Sequence, residues 1–209
     1  MVATLACPEG CSLAADDIRR GLNTRLPEDV AVVEAAWAPE GFDPRGDAVS
    51  RTYEYVLRTG TRPVLDRHTA WHVGAGALDV ARMREAAEGF QEAGPIDYAS
   101  YAAATKGPGA RSNVCRISSL RVTRTSNTVV VRITADRFLY RMCRRLVGVL
   151  VAVGRGQLDL DALVASPSDR PECTTAPAAG LRLVRCEYVR ACGDDNDNPD
   201  DAWLFGEES

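Results

Sequence analysis

Thr128-Val129-Val130-Val131-Arg132-Ile133-Thr134-Ala135-Asp136-Arg137-Phe138-Leu139-Tyr140-Arg141-Met142-Cys143-Arg144-Arg145-Leu146-Val147-Gly148-Val149 changes its hydrophobic period partway along. Up to Ala135 it alternates, with Val129, Val131 and Ile133 on one side and Val130, Arg132 and Thr134 on the other, which predicts a half-buried strand. From Arg137 to Val153 the apolar residues Phe138, Met142, Leu146, Val149 and Val153 recur every three or four positions, the stripe of a helix. A strand feeding a helix in this way commits the region to mixed α and β structure.

Working outward, Val114–Arg124 is a second alternating run, joined to Thr128–Ala135 by Ser126-Asn127, which predicts a hairpin. Further upstream, Leu78–Phe90 carries Leu78, Met83, Ala86, Ala87 and Phe90 near one helical stripe. Arg51–Arg58 places Tyr53, Tyr55 and Leu57 on one strand face and Thr52, Glu54 and Val56 on the other. Val30–Trp37 and Val2–Ala6 have strand composition, and Ser12 stands as the N-cap of a helix ending near Leu22. Gln91 to Asn113 is punctuated by Gly94, Pro95, Gly107, Pro108 and Gly109; an irregular stretch of that length is usually functional or disordered. Downstream, Asp159–Ala165 is a short helix and Leu181–Tyr188 a closing strand. The order strand-helix-strand-strand-helix, then hairpin-helix-strand, predicts an α+β fold built of ferredoxin-like units with helices on one face of a mixed, largely antiparallel sheet.

The 209 residues, 45% of them hydrophobic, supply a core for one large domain or two small ones sharing a sheet. No apolar run approaches the roughly 20 residues that span a bilayer, and the opening residues have no signal-peptide pattern. The seven cysteines show no repeated spacing; Cys7-x3-Cys11 has no histidine beside it, so reduced intracellular thiols are expected, in a compartment the sequence does not resolve. The formal charge is −4, but seven carboxylates and no cation lie between Cys192 and Ser209, which leaves +3 on the rest. The low overall balance therefore does not argue against nucleic-acid binding. The expected organisation is residues 1–58, the remainder of a first ferredoxin-like half; residues 59–190, a second half; and residues 191–209, an acidic disordered tail.

The sequence lacks G-x-S-x-G, a glycine-rich phosphate loop, H-E-x-x-H and C-x-x-C. His68 and His72 are four apart in an extended context without a third ligand, so no metal is expected. Arg137, Arg141 and Arg144 fall together opposite the apolar stripe of the main helix. On spacing alone a solvated face is the favoured reading, and a basic ridge aimed at phosphate or at a buried carboxylate is the alternative. Tyr53 and Tyr55 read as sheet-face aromatics or as base-stacking platforms.

Longer strings separate these alternatives. Leu22-Asn23-Thr24-Arg25-Leu26-Pro27-Glu28-Asp29-Val30, Phe42-Asp43-Pro44-Arg45-Gly46-Asp47-Ala48, Arg51-Thr52-Tyr53-Glu54-Tyr55, Ile96-Asp97-Tyr98-Ala99-Ser100-Tyr101, Asp136 through Gly148, and Thr175-Ala176-Pro177-Ala178-Ala179-Gly180-Leu181 occur in this order. As an ordered set covering residues 2–189, they resemble the TruA family of tRNA pseudouridine synthases. The resemblance implies a pseudouridine-synthase-like fold, tRNA as substrate, most plausibly at the anticodon stem-loop, no cofactor, and a homodimer. It matches Tyr53 to the tyrosine that stacks on the target base and Arg144 to the arginine that pairs with the catalytic aspartate. It makes Arg45, Arg51, Arg111 and Arg141 candidate RNA contacts.

One departure stands out. The family carries its aspartate in an R-T-D-x-G-V-H-A string just ahead of the strand that Val2-Ala3-Thr4-Leu5 would form, and no such string occurs in residues 1–209. The resemblance thus implies a chain that starts late, with its first unit truncated and no aspartate assigned to catalysis. Such a chain is expected to fold poorly by itself, with an unpaired sheet edge. A non-catalytic RNA-binding or dimerising relative is the second reading, and a ferredoxin-like protein–protein module the third. Tyr53 and Arg144 together favour the synthase, because an arginine matched to a carboxylate has no use in a chain free of catalysis.

Overall fold

A computed structural model describes residues 1–8, 10–61, 65–74, 76, 78–103, 112–188 and, for the main chain alone, 203–205. Its elements are helix α1 (Ala15–Asn23), strand β1 (Ala48–Arg58), β2 (Trp71–His72), α2 (Val80–Glu92), β3 (Pro95–Asp97), β4 (Val114–Thr125), β5 (Thr128–Ala135), α3 (Met142–Gly154), α4 (Leu160–Ala165), β6 (Leu181–Tyr188) and β7 (Trp203–Phe205). Short 3-10 turns cover Leu65–His68, Ala99–Tyr101 and Ala178–Gly180.

The strands form one seven-stranded sheet in the order β3-β4-β5-β1-β6-β7, with β2 beside the end of β1. The β1–β2 pair is parallel and the other pairs among the described residues are antiparallel, as the α+β reading expected. The central register sets Tyr53 opposite Ile133 and Leu183, Tyr55 opposite Val131 and Leu181, and Leu57 opposite Val129. Tyr55, Leu57, Val129, Val131 and Ile133 are fully buried under α2 and α3. Helix α3 is buried along its length except at Arg144 and Arg145, the environment that an almost wholly apolar helix requires.

The opposite sheet face is polar. Glu54 is 5% exposed and accepts hydrogen bonds from Arg132 Nε at 2.7 Å and Arg182 Nε at 2.8 Å. Both arginines are its cross-strand neighbours. Burial alone would raise the Glu54 pKa, but the hydrogen bonds and charges of Arg182 and Arg132 outweigh it and hold the carboxyl below its ordinary value. Beside it, the Thr52 and Thr134 hydroxyls bond at 2.9 Å.

Several expectations are corrected. Val30–Trp37 is not a strand: the Asn23 side-chain amide donates to Val32 O at 2.9 Å and accepts from Val32 N at 2.7 Å, taking both hydrogen bonds a neighbouring strand would use. Val2–Ala6 has no strand partner and is also irregular. Helix α1 starts at Ala15, with Ala14 rather than Ser12 at the N-cap position and no side-chain cap. Residues 137–141 are not helical: Arg141 adopts a left-handed φ of 66° and Phe138 turns to Tyr53, so Arg137 and Arg141 precede α3 and do not share a ridge with Arg144. The region from Gln91 to Asn113 contains the end of α2, β3 and a 3-10 turn, because Pro95–Asp97 finds the edge of β4. Trp203–Phe205 of the expected solvated tail pairs with β6; the rest of that tail lies outside the described residues.

Candidate nucleic-acid site at the start of helix α3

The loop before β1 is locked by two aspartates. Asp43 Oδ1 accepts from Arg45 N at 2.9 Å, and Asp47 Oδ2 accepts from Asp43 N at 2.8 Å. A Cβ on Gly46 would lie 2.6 Å from Asp43 Oδ2, so a larger residue there would push the Asp43 carboxylate aside. Phe42 packs edge-on against Tyr188 at 5.2 Å, and Tyr188 donates its hydroxyl proton to Pro44 O at 2.8 Å. This leaves Arg45 exposed at the tip, with its carbonyl accepting from the Arg51 guanidinium.

Arg51, Tyr53 and Tyr55 alternate onto the helix-covered face of β1. Tyr53 is half-buried, with the Phe138 ring edge-on at 5.0 Å. Burial chiefly, with the neighbouring Cys143 thiol, pushes its phenol above the ordinary pKa, and the Arg51 charge opposes them. Tyr53 therefore stays protonated at neutral pH, an amphipathic ring suited to stacking on a base. Tyr55 is fully buried and donates to Pro177 O at 2.6 Å.

Arg144 lies in the first turn of α3 and donates from Nε to Ala176 O at 2.6 Å, while Ala176 N donates back to Arg144 O at 3.1 Å. The segment that receives Arg144 is pressed hard against the fold. A Cβ on Gly148 would meet Thr174 O at 2.0 Å, and one on Gly180 would meet the Tyr55 ring at 2.6 Å. Residues 174–180 are thus clamped between α3 and β1. Arg144 is held with no carboxylate partner among the described residues, and its charge reaches Tyr55.

The structure brings Tyr53 and Arg144 onto one side of the sheet, Tyr53 beside Cys143 and Arg144 one residue on. Arg45 lies in the loop before β1 and Arg51 near the start of that strand, and Arg141 is exposed immediately before α3, 5.2 Å over the Tyr140 ring. Arg111 lies outside the described residues. His72 Nε2 contacts Gly60 O at 2.7 Å and His68 Nε2 accepts from Arg67; no three His, Cys, Asp or Glu side chains converge among the described residues. No helix of the described residues is long and apolar enough to cross a membrane.

Residues 93–189 match a family model described as tRNA pseudouridine synthase. The chain is 37% identical over 172 residues to tRNA pseudouridine synthase A of Geotalea uraniireducens, an alignment covering 80% of this chain and 68% of that protein. It is 38% identical over 172 residues to the protein of the same name from Geobacter sulfurreducens, again covering 80% and 68%. With the Oleidesulfovibrio alaskensis protein, also named tRNA pseudouridine synthase A, the identity is 34% over 208 residues, covering 91% and 73%. The chain belongs to the tRNA pseudouridine synthase family. In that family setting the reading of the Arg51–Tyr55 and Asp136–Gly148 strings acquires its weight. Sequence reasoning missed the Glu54–Arg132–Arg182 ion pairs, which only the strand register brings together. It also missed Arg145 and Arg170, which both contact Ser100; the one signal for Arg145 was its place beside Arg144, and Arg170 had none.

Proposed function

We propose that this protein serves the isomerisation of uridine to pseudouridine in tRNA, with the anticodon stem-loop as the expected target. The observation that carries the reading is the pairing of a half-buried Tyr53 with Arg144, an arginine rigidly held from behind by Ala176 O and facing no carboxylate among the described residues. In the reaction the C1′–N1 bond of the nucleotide breaks, the base rotates, a C1′–C5 bond forms, and the C5 hydrogen leaves as a proton while N1 gains one. Nothing is oxidised or reduced, so no cofactor is called for. The uridine has to leave the stack, at a cost of a few kcal/mol, and Tyr53 offers a ring face in return. Arg144 would keep an entering carboxylate ionised and oriented. Arg45, Arg51, Arg111 and Arg141 are proposed phosphate contacts, which position the RNA without reading its sequence.

No aspartate among residues 1–209 is assigned the catalytic role. A second reading, a non-catalytic RNA-binding or dimerising relative, is favoured by that observation alone. A homodimer working on tRNA inside the cell is part of the first reading. The test supplies an R-T-D-x-G-V-H-A segment from a relative ahead of Met1 and follows tritium release from C5-labelled uridine in tRNA. Release that vanishes with Arg144→Gln is expected. No release from a folded, tRNA-binding fusion would select the second reading, and the absence of tRNA binding would remove both. Sedimentation at micromolar concentration is expected to give twice the chain mass; a monomer would remove the dimer.

A further inference from the structure

We infer that Arg141, Arg145 and Arg170 form a cationic subsite for one RNA phosphodiester next to the target uridine, an assignment that rests on the function proposed above. Arg145 turns to the side of α3 opposite the Ala176 contact of Arg144. It donates from its terminal nitrogen to Ser100 O at 3.2 Å and to Ala102 O. Arg170 meets the same point from the other direction. Its main-chain N–H donates to Ser100 Oγ at 3.1 Å and its guanidinium turns to Cys173 O at 2.8 Å, while Ser100 Oγ donates to Ser168 O at 2.5 Å. Arg141 is four residues before Arg145, its carbonyl accepts from Arg145 N at 3.1 Å, and its charge acts on the Arg145 guanidinium.

Every hydrogen bond these guanidinium groups make among the described residues goes to a neutral acceptor. Carbonyl oxygens fix their positions without cancelling their charge. The Nε atoms of Arg145 and Arg170 are buried with no hydrogen-bond partner among the described residues. Asp169 and Glu172 flank Arg170 in sequence, but both are exposed; the Asp169 charge is felt at Tyr101 beside that of Arg170, and neither carboxylate forms an ion pair with an arginine among the described residues. The contrast with the far side of the sheet is direct, since there two arginines share the carboxylate of Glu54. Burial, followed by the Arg170 and Arg141 charges, pulls the Arg145 pKa below its usual value, the mark of mutual repulsion in a partly desolvated place. Gathering three cations without a counter-charge costs stability, and an arriving anion relieves it. The planar, multi-donor guanidinium suits a phosphate better than a carboxylate in this role, because it can present two parallel N–H groups to two oxygens. Arg144 and Arg145 leave the same turn of α3 toward different segments, and the anion assigned to the subsite is a phosphate flanking the flipped nucleotide.

The experiment measures binding of fluorescently labelled tRNA to the full chain across a salt series. Arg145→Gln and Arg170→Gln keep an amide donor for the carbonyls but remove the charge; Arg145→Lys and Arg170→Lys keep the charge. Arg141→Gln alters an exposed side chain that makes no hydrogen bond, so its result stands whatever the other variants do to folding. Arg182→Gln removes the same charge from the opposite face as a control. Each Gln variant of the subsite is expected to lower affinity several-fold at moderate salt and to flatten the log–log salt slope by about 0.7–0.9, with Lys retaining most of the slope and Arg182→Gln changing little. Salt slopes that stay at the wild-type value in Arg141→Gln and Arg145→Gln, or that change no more than in Arg182→Gln, overturn the subsite, and with it the Arg141 phosphate contact, while salt-dependent binding by the unaltered chain keeps the synthase reading standing. An unaltered chain that shows no salt-dependent tRNA binding defeats the proposed function itself.

Discussion

Helices α1 and α3 each carry a glycine within the helix, and the fold treats them in opposite ways. In α3, Gly148 brings the backbone against Thr174 O, where a Cβ would stand at 2.0 Å, and all but two of the helix residues are buried. In α1, a Cβ on Gly21 would meet nothing within 4 Å, and no residue of the helix is buried. Its ion pairs, Arg19 with Asp16 and Arg20 with Asp17, are exposed and contribute little. The apolar residues around it are exposed too, Val33 at 83% and Trp37 at 57%. An amphipathic pattern therefore fixes a helix firmly only where a second surface receives it, because most helical stability comes from packing an apolar face.

Hydrogen exchange is the harshest way to break this comparison. Amides in the centre of α3 are expected to exchange only through global unfolding, several kcal/mol above those of α1, a separation of about a thousandfold or more in protection. Equal protection in the two helices would show that α1 is covered after all. Gly148→Ala is expected to cost about 3 kcal/mol in a denaturant titration, because the atom in the way is backbone and cannot swing aside. Gly21→Ala is expected to be neutral or to stabilise α1 by up to about 1 kcal/mol. Similar losses from the two substitutions would contradict the account.

The same contrast shows how much could be read in advance. The β4–β5 hairpin, the Tyr53–Tyr55–Leu57 face and the α2 stripe were legible because their periodic residues all find cover in one core. Val30–Trp37 has equally good strand composition and failed, since a strand needs a neighbouring edge and Asn23 had already taken the backbone of Val32. The helix start at Met142 was missed because nothing in the string Arg137–Arg141 announces a left-handed residue at Arg141. Tyr53 and Arg144 could not be singled out by periodicity. They came from the ordered strings shared with a family, and the structure places them on one side of the sheet. Arg170 carried no local signal, since Ser100, which links it to Arg145, lies seventy residues earlier in sequence.

Smaller effects sharpen the picture of the two sheet faces. Glu54→Gln is expected to lower stability by about 1–3 kcal/mol at neutral pH, because charge-assisted bonds to two arginines are lost. The folded-state pKa of Glu54 is depressed, so its contribution is fully present above the unfolded value of 4.5 and is lost as pH falls through the lower folded value. Wild type and Glu54→Gln are therefore expected to converge in stability on acidification below that point. A gap that persists unchanged at low pH would mean the side chain acts through packing instead. On the helix side, Tyr98 and Tyr101 bury hydroxyls with no hydrogen-bond partner among the described residues, and burial drives both phenols far above their usual pKa. Tyr98→Phe is expected to be neutral or to raise stability by up to about 1 kcal/mol; a loss in thermal melting would reveal a partner for that hydroxyl.

The central claim is that Tyr53 and Arg144 form one half of a pseudouridine-forming site and that the carboxylate completing it is not among residues 1–209. Tritium release from C5-labelled uridine in tRNA tests it most directly, comparing the 209-residue chain with the same chain preceded by a relative's R-T-D-x-G-V-H-A segment. The account predicts no release from the chain by itself, release from the extended chain, and loss of that release on changing the supplied aspartate to asparagine or Arg144 to glutamine. Release by the 209-residue chain alone would contradict it and turn the search for the carboxylate to Asp43, Asp47, Asp66 and Asp97.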